Sequence, residues 1–106
     1  MLDGIEKTIF DLIEATSSKN DYISEDDIFD LQTKIVEIIK KNDFPNLKLN
    51  PDDSRCNFYL NFAVEDYIGV DKIRRRQSRE RSEKMTAIII KRARRILSRI
   101  KNPKED

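Results

Sequence analysis

The sequence predicts a mainly α protein, a single domain built as a small bundle of about four helices. Apolar residues recur at helical spacing in both halves of the chain, only two glycines and three prolines interrupt 106 residues, and charged side chains make up 39% of them. We expect residues 1–70 to form an acidic helical body, residues 71–101 a long basic amphipathic helix, and residues 102–106 a disordered tail.

The first two helices are predicted by apolar periodicity together with residues suited to helix ends. One periodic segment ends near Ser17 and Ser18, and a second follows Ser24 and continues to about Asn42. Ser24 is a suitable N-cap, and the three acidic residues after it favour the positive end of a helix dipole. We expect residues 43–50 to connect the second helix to the third.

The segment that begins at Asn50 fits two structures. As a helix start, Asn50 is the cap and Pro51 takes the first helical position. As a type I turn, Pro51 takes the second position, and residues 56–64 then alternate like a half-buried strand. The capping signals favour a third helix that ends at Gly69, and an α+β fold with a hairpin at about 46–64 is the alternative.

Phe58 and Phe62 lie beside the main apolar face of this third helix. They either pack against a second neighbour or form an exposed patch for a partner. Ordinary core packing is the expected outcome.

The basic helix is predicted because no Gly or Pro interrupts the chain between Asp71, its expected cap, and Lys101. Arg79/Glu83 and Glu80/Lys84 have the i,i+4 spacing of helical ion pairs, as does Arg76/Glu80. The helix carries an apolar stripe and a basic stripe side by side. The apolar stripe comprises Met85, Ile89, Ala93, Ile96, Leu97 and Ile100.

Arginine and lysine side chains along this helix are the candidate contacts for a nucleic acid or an acidic partner surface. Arginine forks bind phosphate oxygens, and cations spaced along one helix side can follow a phosphate backbone. The candidates are Arg74, Arg75, Arg76, Arg79, Arg81, Lys84, Lys91, Arg92, Arg94, Arg95 and Arg99.

The charge distribution supports the same interpretation. The formal net charge is only +1, which alone argues against a nucleic-acid partner. However, residues 1–70 hold 15 acidic and 7 basic side chains, a net charge of −8, whereas residues 71–106 hold 14 basic and 5 acidic ones, a net charge of +9. The small total therefore conceals two oppositely charged segments, and the acidic one could also neutralise the arginines.

No pattern of catalytic residues is present, so we expect no enzyme activity, no cofactor and no metal. The chain has no His and a single cysteine, Cys56, which precludes the usual Cys/His and Ser/His nucleophiles within one chain and a structural zinc site. The acidic pairs at 52–53 and 65–66 are better explained by a helix N-terminus and a solvated face than by magnesium binding. The lone cysteine favours an intracellular, cytoplasmic location, and no apolar run is long enough to span a membrane.

The sequence thus predicts a small regulatory or accessory protein that binds DNA or RNA through its basic helix. Duplex or structured nucleic acid is expected, because the helix has no aromatic residues on which bases could stack. The alternative is a protein-interaction, adaptor or inhibitor module, or a homodimer of this kind, with Met85, Ile89, Ile96 and Ile100 at the interface. A membrane-surface or calmodulin-target helix is a third possibility.

Overall fold

The computed structural model describes residues 4–18, 22–69 and 77–101, and four helices account for 85% of them. The helices are α1 (Gly4–Ser17), α2 (Glu25–Leu47), α3 (Ser54–Ile68) and α4 (Arg79–Lys101). The predicted mainly α bundle is confirmed, and the hairpin alternative is wrong because most of its second half lies within α3. The predicted tail at 102–106 lies outside the described residues, as does the segment 71–76.

Contacts between side chains show how the helices run relative to one another. Asp43 and Leu47 of α2 bind Arg94 and Lys101 of α4 in the same order along both helices, so α2 and α4 are parallel. Helices α1 and α3 each join α2 through a short connection, which is typical of antiparallel neighbours. Within the described residues α2 and α4 contact each other and both flanking helices, whereas α1 and α3 do not touch.

The core lies between α2 and α4, where apolar stripes from all four helices meet. Its fully buried side chains are mostly branched aliphatic residues, which pack densely in a helical core. They include Ile9, Ile13, Ile23, Ile28, Leu31, Ile35, Ile39, Phe44, Leu60, Ile68 and Ile89.

Helix α2 starts as predicted, but it continues beyond Asn42 to Leu47. The Ser24 hydroxyl accepts the Asp27 N–H at 3.1 Å, which confirms the cap. The predicted connection at 43–50 is wrong for its first part, because these residues form a further turn of α2. Asp43 and Phe44 of this turn are both buried.

The end of α2 accommodates a proline and closes with a left-handed residue. Pro45 lies in the last turn, where only one helical hydrogen bond is lost. Lys48 has φ 57°, and the Lys48 and Leu49 N–H groups donate to the Pro45 and Phe44 carbonyls at 3.1 and 2.9 Å. This is a Schellman closure of the helix, here with lysine in place of the more usual glycine.

Both structures considered for the segment after Asn50 are partly present. Residues 50–53 form a turn in which the Asn50 carbonyl accepts the Asp53 N–H at 3.0 Å. The helix then begins after Asp53, not after Asn50, because the Asp53 carboxylate accepts the N–H groups of Arg55 and Cys56 at 2.8 and 3.3 Å. Gly69 ends α3 as predicted, although its φ is −49° and not positive.

Helix α4 begins at Arg79, and the described residues before it, Gln77 and Ser78, are not helical. Ser78 caps the helix, since its hydroxyl accepts the Arg81 N–H at 3.2 Å. The part of the predicted helix at 71–76 lies outside the described residues.

Candidate nucleic-acid interface

Helix α4 divides cleanly into a buried side and a solvent side. Ile89, Ala93 and Leu97 are fully buried at one-turn spacing. Basic residues occupy the side away from them and form what we call the basic face: Arg81, Lys84, Lys91, Arg92, Arg95 and Arg99.

The basic face presents its cations along most of the helix. All of its residues are exposed except Arg92, which is partly buried. From Arg81 to Arg99 it is about 27 Å long, at 1.5 Å per residue. Such a row is long enough to contact several successive phosphates of a nucleic acid.

Three cations of the basic face make no ion pair within the described part of the chain: Arg81, Lys91 and Arg95. Lys84, by contrast, pairs with Glu80 at 3.3 Å on the same helix, a confirmed i,i+4 pair. Because both partners of that pair are well exposed, it contributes little and opens easily. The basic face is therefore largely available to an anion.

Arg94 is not part of the basic face. Its guanidinium donates two hydrogen bonds to the carboxylate of Asp43 on α2, at 3.1 and 3.3 Å. The Asp43 side chain is only 6% exposed, whereas that of Arg94 is 47% exposed. Arg94 is thus the counter-ion of a buried carboxylate, a role that the sequence analysis missed because it treated residues 43–50 as a connection.

Arg79 also has partners within the bundle. Its guanidinium lies 5.0 Å from the centre of the Phe10 ring on α1, and its Nε is 3.2 Å from Glu83. The second contact is another of the three predicted i,i+4 pairs and is confirmed, while the pair of Arg76 with Glu80 involves a residue outside the described part of the chain. Arg79 therefore joins the start of α4 to α1, and the candidates Arg74, Arg75 and Arg76 lie outside the described residues.

Arg92 lies at the border between the basic face and α3. One of its terminal nitrogens is 3.4 Å from the Asp66 carboxylate, and its guanidinium lies 5.4 Å from the centre of the Tyr67 ring. Its Nε is buried with no hydrogen-bond partner among the described residues. These contacts fix α3 against α4 and hold Arg92 at the edge of a groove.

That groove lies between α3 and α4 and has a volume of about 180 Å³. Tyr67 of α3 forms one wall, and Lys91, Arg92 and Arg95 of α4 form the other, together with Ile88. Ile88 is 43% exposed in the middle of the basic face. The groove therefore combines three cations with apolar surface.

The apolar stripe that was predicted as a possible partner interface lies in the core of this single chain. Met85 and Ile89 are buried, and Ile96 and Ile100 are half-buried, with Ile100 packed against the core. Their expected partner is thus supplied by α1, α2 and α3. Of the large apolar side chains of α4, Ile88 remains the exposed one, at 43%.

An exposed aromatic cluster lies on α3, where the sequence predicted ordinary core packing for two phenylalanines. Phe58, Phe62 and Tyr59 are 66%, 51% and 45% exposed, and the Phe58 and Tyr59 rings meet edge to face at 5.3 Å. Core packing was expected for the two phenylalanines, but the opposite side of α3 supplies the core through Cys56, Leu60 and other residues. A helical wheel places both rings beside the apolar face and not within it, and this position was the sequence signal for their exposure.

The remaining candidate chemical groups have structural roles. The Asp53 carboxyl has a lowered pKa because it accepts backbone hydrogen bonds from Cys56 and Arg55 and lies beside the Arg55 guanidinium. Burial raises the pKa of the Cys56 thiol, which disfavours the reactive thiolate. Among the described residues no group of three or more acidic or cysteine side chains could hold a metal ion, and no helix has the length and apolarity needed to cross a membrane.

Comparison of the chain with protein-family models, with curated proteins and with solved structures found no match.

Proposed function

We propose that this protein binds nucleic acid through the basic face of α4 and acts inside the cell as a small regulatory or accessory protein. The observation that supports the proposal is the row of exposed cations from Arg81 to Arg99, of which Arg81, Lys91 and Arg95 have no ion-pair partner in the described residues. Arginine and lysine side chains neutralise phosphates and release condensed counterions, a contribution that is independent of base sequence.

The position of the basic face adds to this argument. Unlike Arg94, whose charge is matched by a buried carboxylate, most of the basic face points into water. Exposed cations spaced along a rigid helix make phosphate contacts with little loss of backbone entropy. Phosphate contacts of this kind position a protein on its ligand and specify no base.

Charge reversal tests the proposal. The Lys91→Glu, Arg95→Glu double variant is expected to weaken DNA or RNA binding by at least about tenfold at low salt, because two phosphate contacts become repulsive. Lys34→Glu, Lys41→Glu is the matched control, since both lysines are exposed, lie on α2, and give the same change in net charge. Fluorescence anisotropy measures affinity, and circular dichroism verifies that both variants remain helical. Equal affinities for the two variants would refute the proposal.

An acidic protein surface is the second candidate partner. Ile88 favours it, because an exposed apolar side chain among charges is common at protein interfaces. Failure of the parent protein to bind any nucleic acid would direct the search towards such a partner.

A further inference from the structure

The exposed aromatic cluster of α3 and the basic face of α4 come from neighbouring helices, and the groove between these helices is lined by Tyr67 of α3 and by Lys91, Arg92 and Arg95 of α4. Helix α3 runs antiparallel to α4, because α3 reverses direction after α2 and α2 is parallel to α4. The contact between Asp66 and Arg92 fixes which residues of the two helices lie at the same level.

The contact between Asp66 and Arg92 also gives the positions of the aromatic residues along the groove. Tyr59 precedes Asp66 by seven residues, and Arg99 follows Arg92 by seven. Seven residues are nearly two helical turns, about 10 Å. Because the helices are antiparallel, both steps run in the same direction along the groove. Residues seven apart lie on the same side of a helix. Tyr59 is therefore level with Arg99 on the side of α3 that faces α4, and Phe62 lies one turn from Tyr59 towards Asp66.

This register places a row of cations on α4 beside aromatic side chains on α3, in line with the groove at Tyr67. Lys91, Arg95 and Arg99 repeat at one-turn intervals, about 6 Å, on α4. Tyr59 and Phe62, both about half exposed, stand on α3. Proteins recognise single strands with two components: cations that follow the phosphate backbone, and aromatic rings on which the bases stack.

We infer that the α3–α4 groove binds single-stranded nucleic acid, with phosphates at Lys91, Arg95 and Arg99 and unpaired bases stacked on Tyr59 and Phe62. This inference rests on the proposed function. In a duplex the bases are stacked on one another, so these rings would have no base face to contact. The inference replaces the duplex preference expected from the sequence, because the rings that α4 lacks are supplied by α3.

Two variants separate the aromatic contribution from the charge. Tyr59→Ala, Phe62→Ala removes both rings, and alanine favours the helix. Phe29→Ala is the matched control, because Phe29 is a 70% exposed ring on α2. Each protein is titrated by fluorescence anisotropy against labelled oligo-dT and against a duplex of equal length, and poly-glutamate serves as a non-nucleic polyanion competitor.

The inference predicts that the parent protein prefers oligo-dT and that the double variant loses about tenfold or more in oligo-dT affinity. Duplex affinity and the Phe29→Ala variant should change less than about twofold, within the small effects of surface substitutions. Unchanged oligo-dT binding by the double variant, an equal loss on the duplex, or an equal loss in Phe29→Ala would each overturn the inference.

Two further outcomes distinguish this inference from the proposed function. If the parent protein binds the duplex but not oligo-dT, the inference fails and the proposed function stands. If it binds neither, or if poly-glutamate of the same charge competes as well as oligo-dT does, both fail and an acidic protein becomes the favoured partner.

Discussion

At the scale of single residues, two neighbouring arginines of α4 have different roles. Arg94 donates two hydrogen bonds to the buried Asp43 carboxylate, whereas Arg95 extends into solvent with no ion pair in the described residues. Both sit in the same run of basic residues, and helical periodicity places them on different sides of α4 without showing what Arg94 contacts. The difference becomes visible only once α2 continues to Leu47 and brings Asp43 alongside α4.

Replacing each arginine by methionine should reveal this difference in stability. We expect Arg94→Met to lower the free energy of unfolding by about 1–3 kcal/mol, because it leaves a buried carboxylate without its hydrogen-bonded partner. Arg95→Met should change it by less than about 0.5 kcal/mol, as for an exposed surface residue. Urea denaturation followed by circular dichroism measures both, and similar losses in the two variants would contradict the role assigned to Arg94.

At the scale of helices, the sequence predicted which segments are helical better than it predicted where they begin and end. Ser24 marked the start of α2 correctly because its side chain caps the helix, and Gly69 marked the end of α3 although it lacks the positive φ of a glycine cap. Helix α3 begins after Asp53 and α4 begins at Arg79, whereas the sequence predicted caps at Asn50 and Asp71. Several nearby polar residues could serve as caps in each case. The choice among them depends on how the preceding turn packs, which apolar periodicity does not encode.

The cap of α3 gives a prediction about pH. The lowered pKa of Asp53 means that its charged form is favoured by folding, so its contribution to stability is present above pH 4 and is lost as the pH falls through the lowered pKa. Asp53→Asn keeps an N-cap acceptor but cannot titrate. Its stability should therefore fall less steeply below about pH 4 than that of the parent protein.

Denaturation curves recorded between about pH 2 and 6 test this dependence. Asp52→Asn serves as the control, because Asp52 precedes the cap and is exposed. Parallel pH profiles for the parent protein and Asp53→Asn would show that the Asp53 carboxylate does not contribute through its charge.

At the scale of the whole molecule, the exposed cations of α4 collect on one side of the helix. Among the described residues, the ion pairs of Arg92 and Arg94 join α4 to α3 and α2, while most of the basic face points away from the core. A surface with a concentrated positive charge attracts an anionic partner over longer distances than individual contacts do. This arrangement explains how a protein of net charge +1 can present a row of exposed cations.

Helical periodicity made one part of the candidate site predictable from the sequence and left the other part unpredicted. The sequence predicted Arg81, Lys91 and Arg95 as members of a basic stripe, because helical periodicity gathers them on a side of the helix that neighbours the apolar stripe. It did not predict the groove, since the pairing of α3 with α4 depends on tertiary contacts such as that of Arg92 with Asp66. Periodicity describes one helix at a time and cannot show which exposed faces become neighbours.

The most direct test of the central claim is the salt dependence of nucleic-acid binding by the parent protein. Anisotropy titrations against oligo-dT and duplex DNA at about 50 and 200 mM salt give the slope of log affinity against log salt concentration. We predict a steep loss of affinity with a slope of about −2 to −5, equivalent to roughly three to five phosphate contacts. No binding, or an affinity that does not change with salt, would contradict the assignment of the basic face to a phosphate backbone.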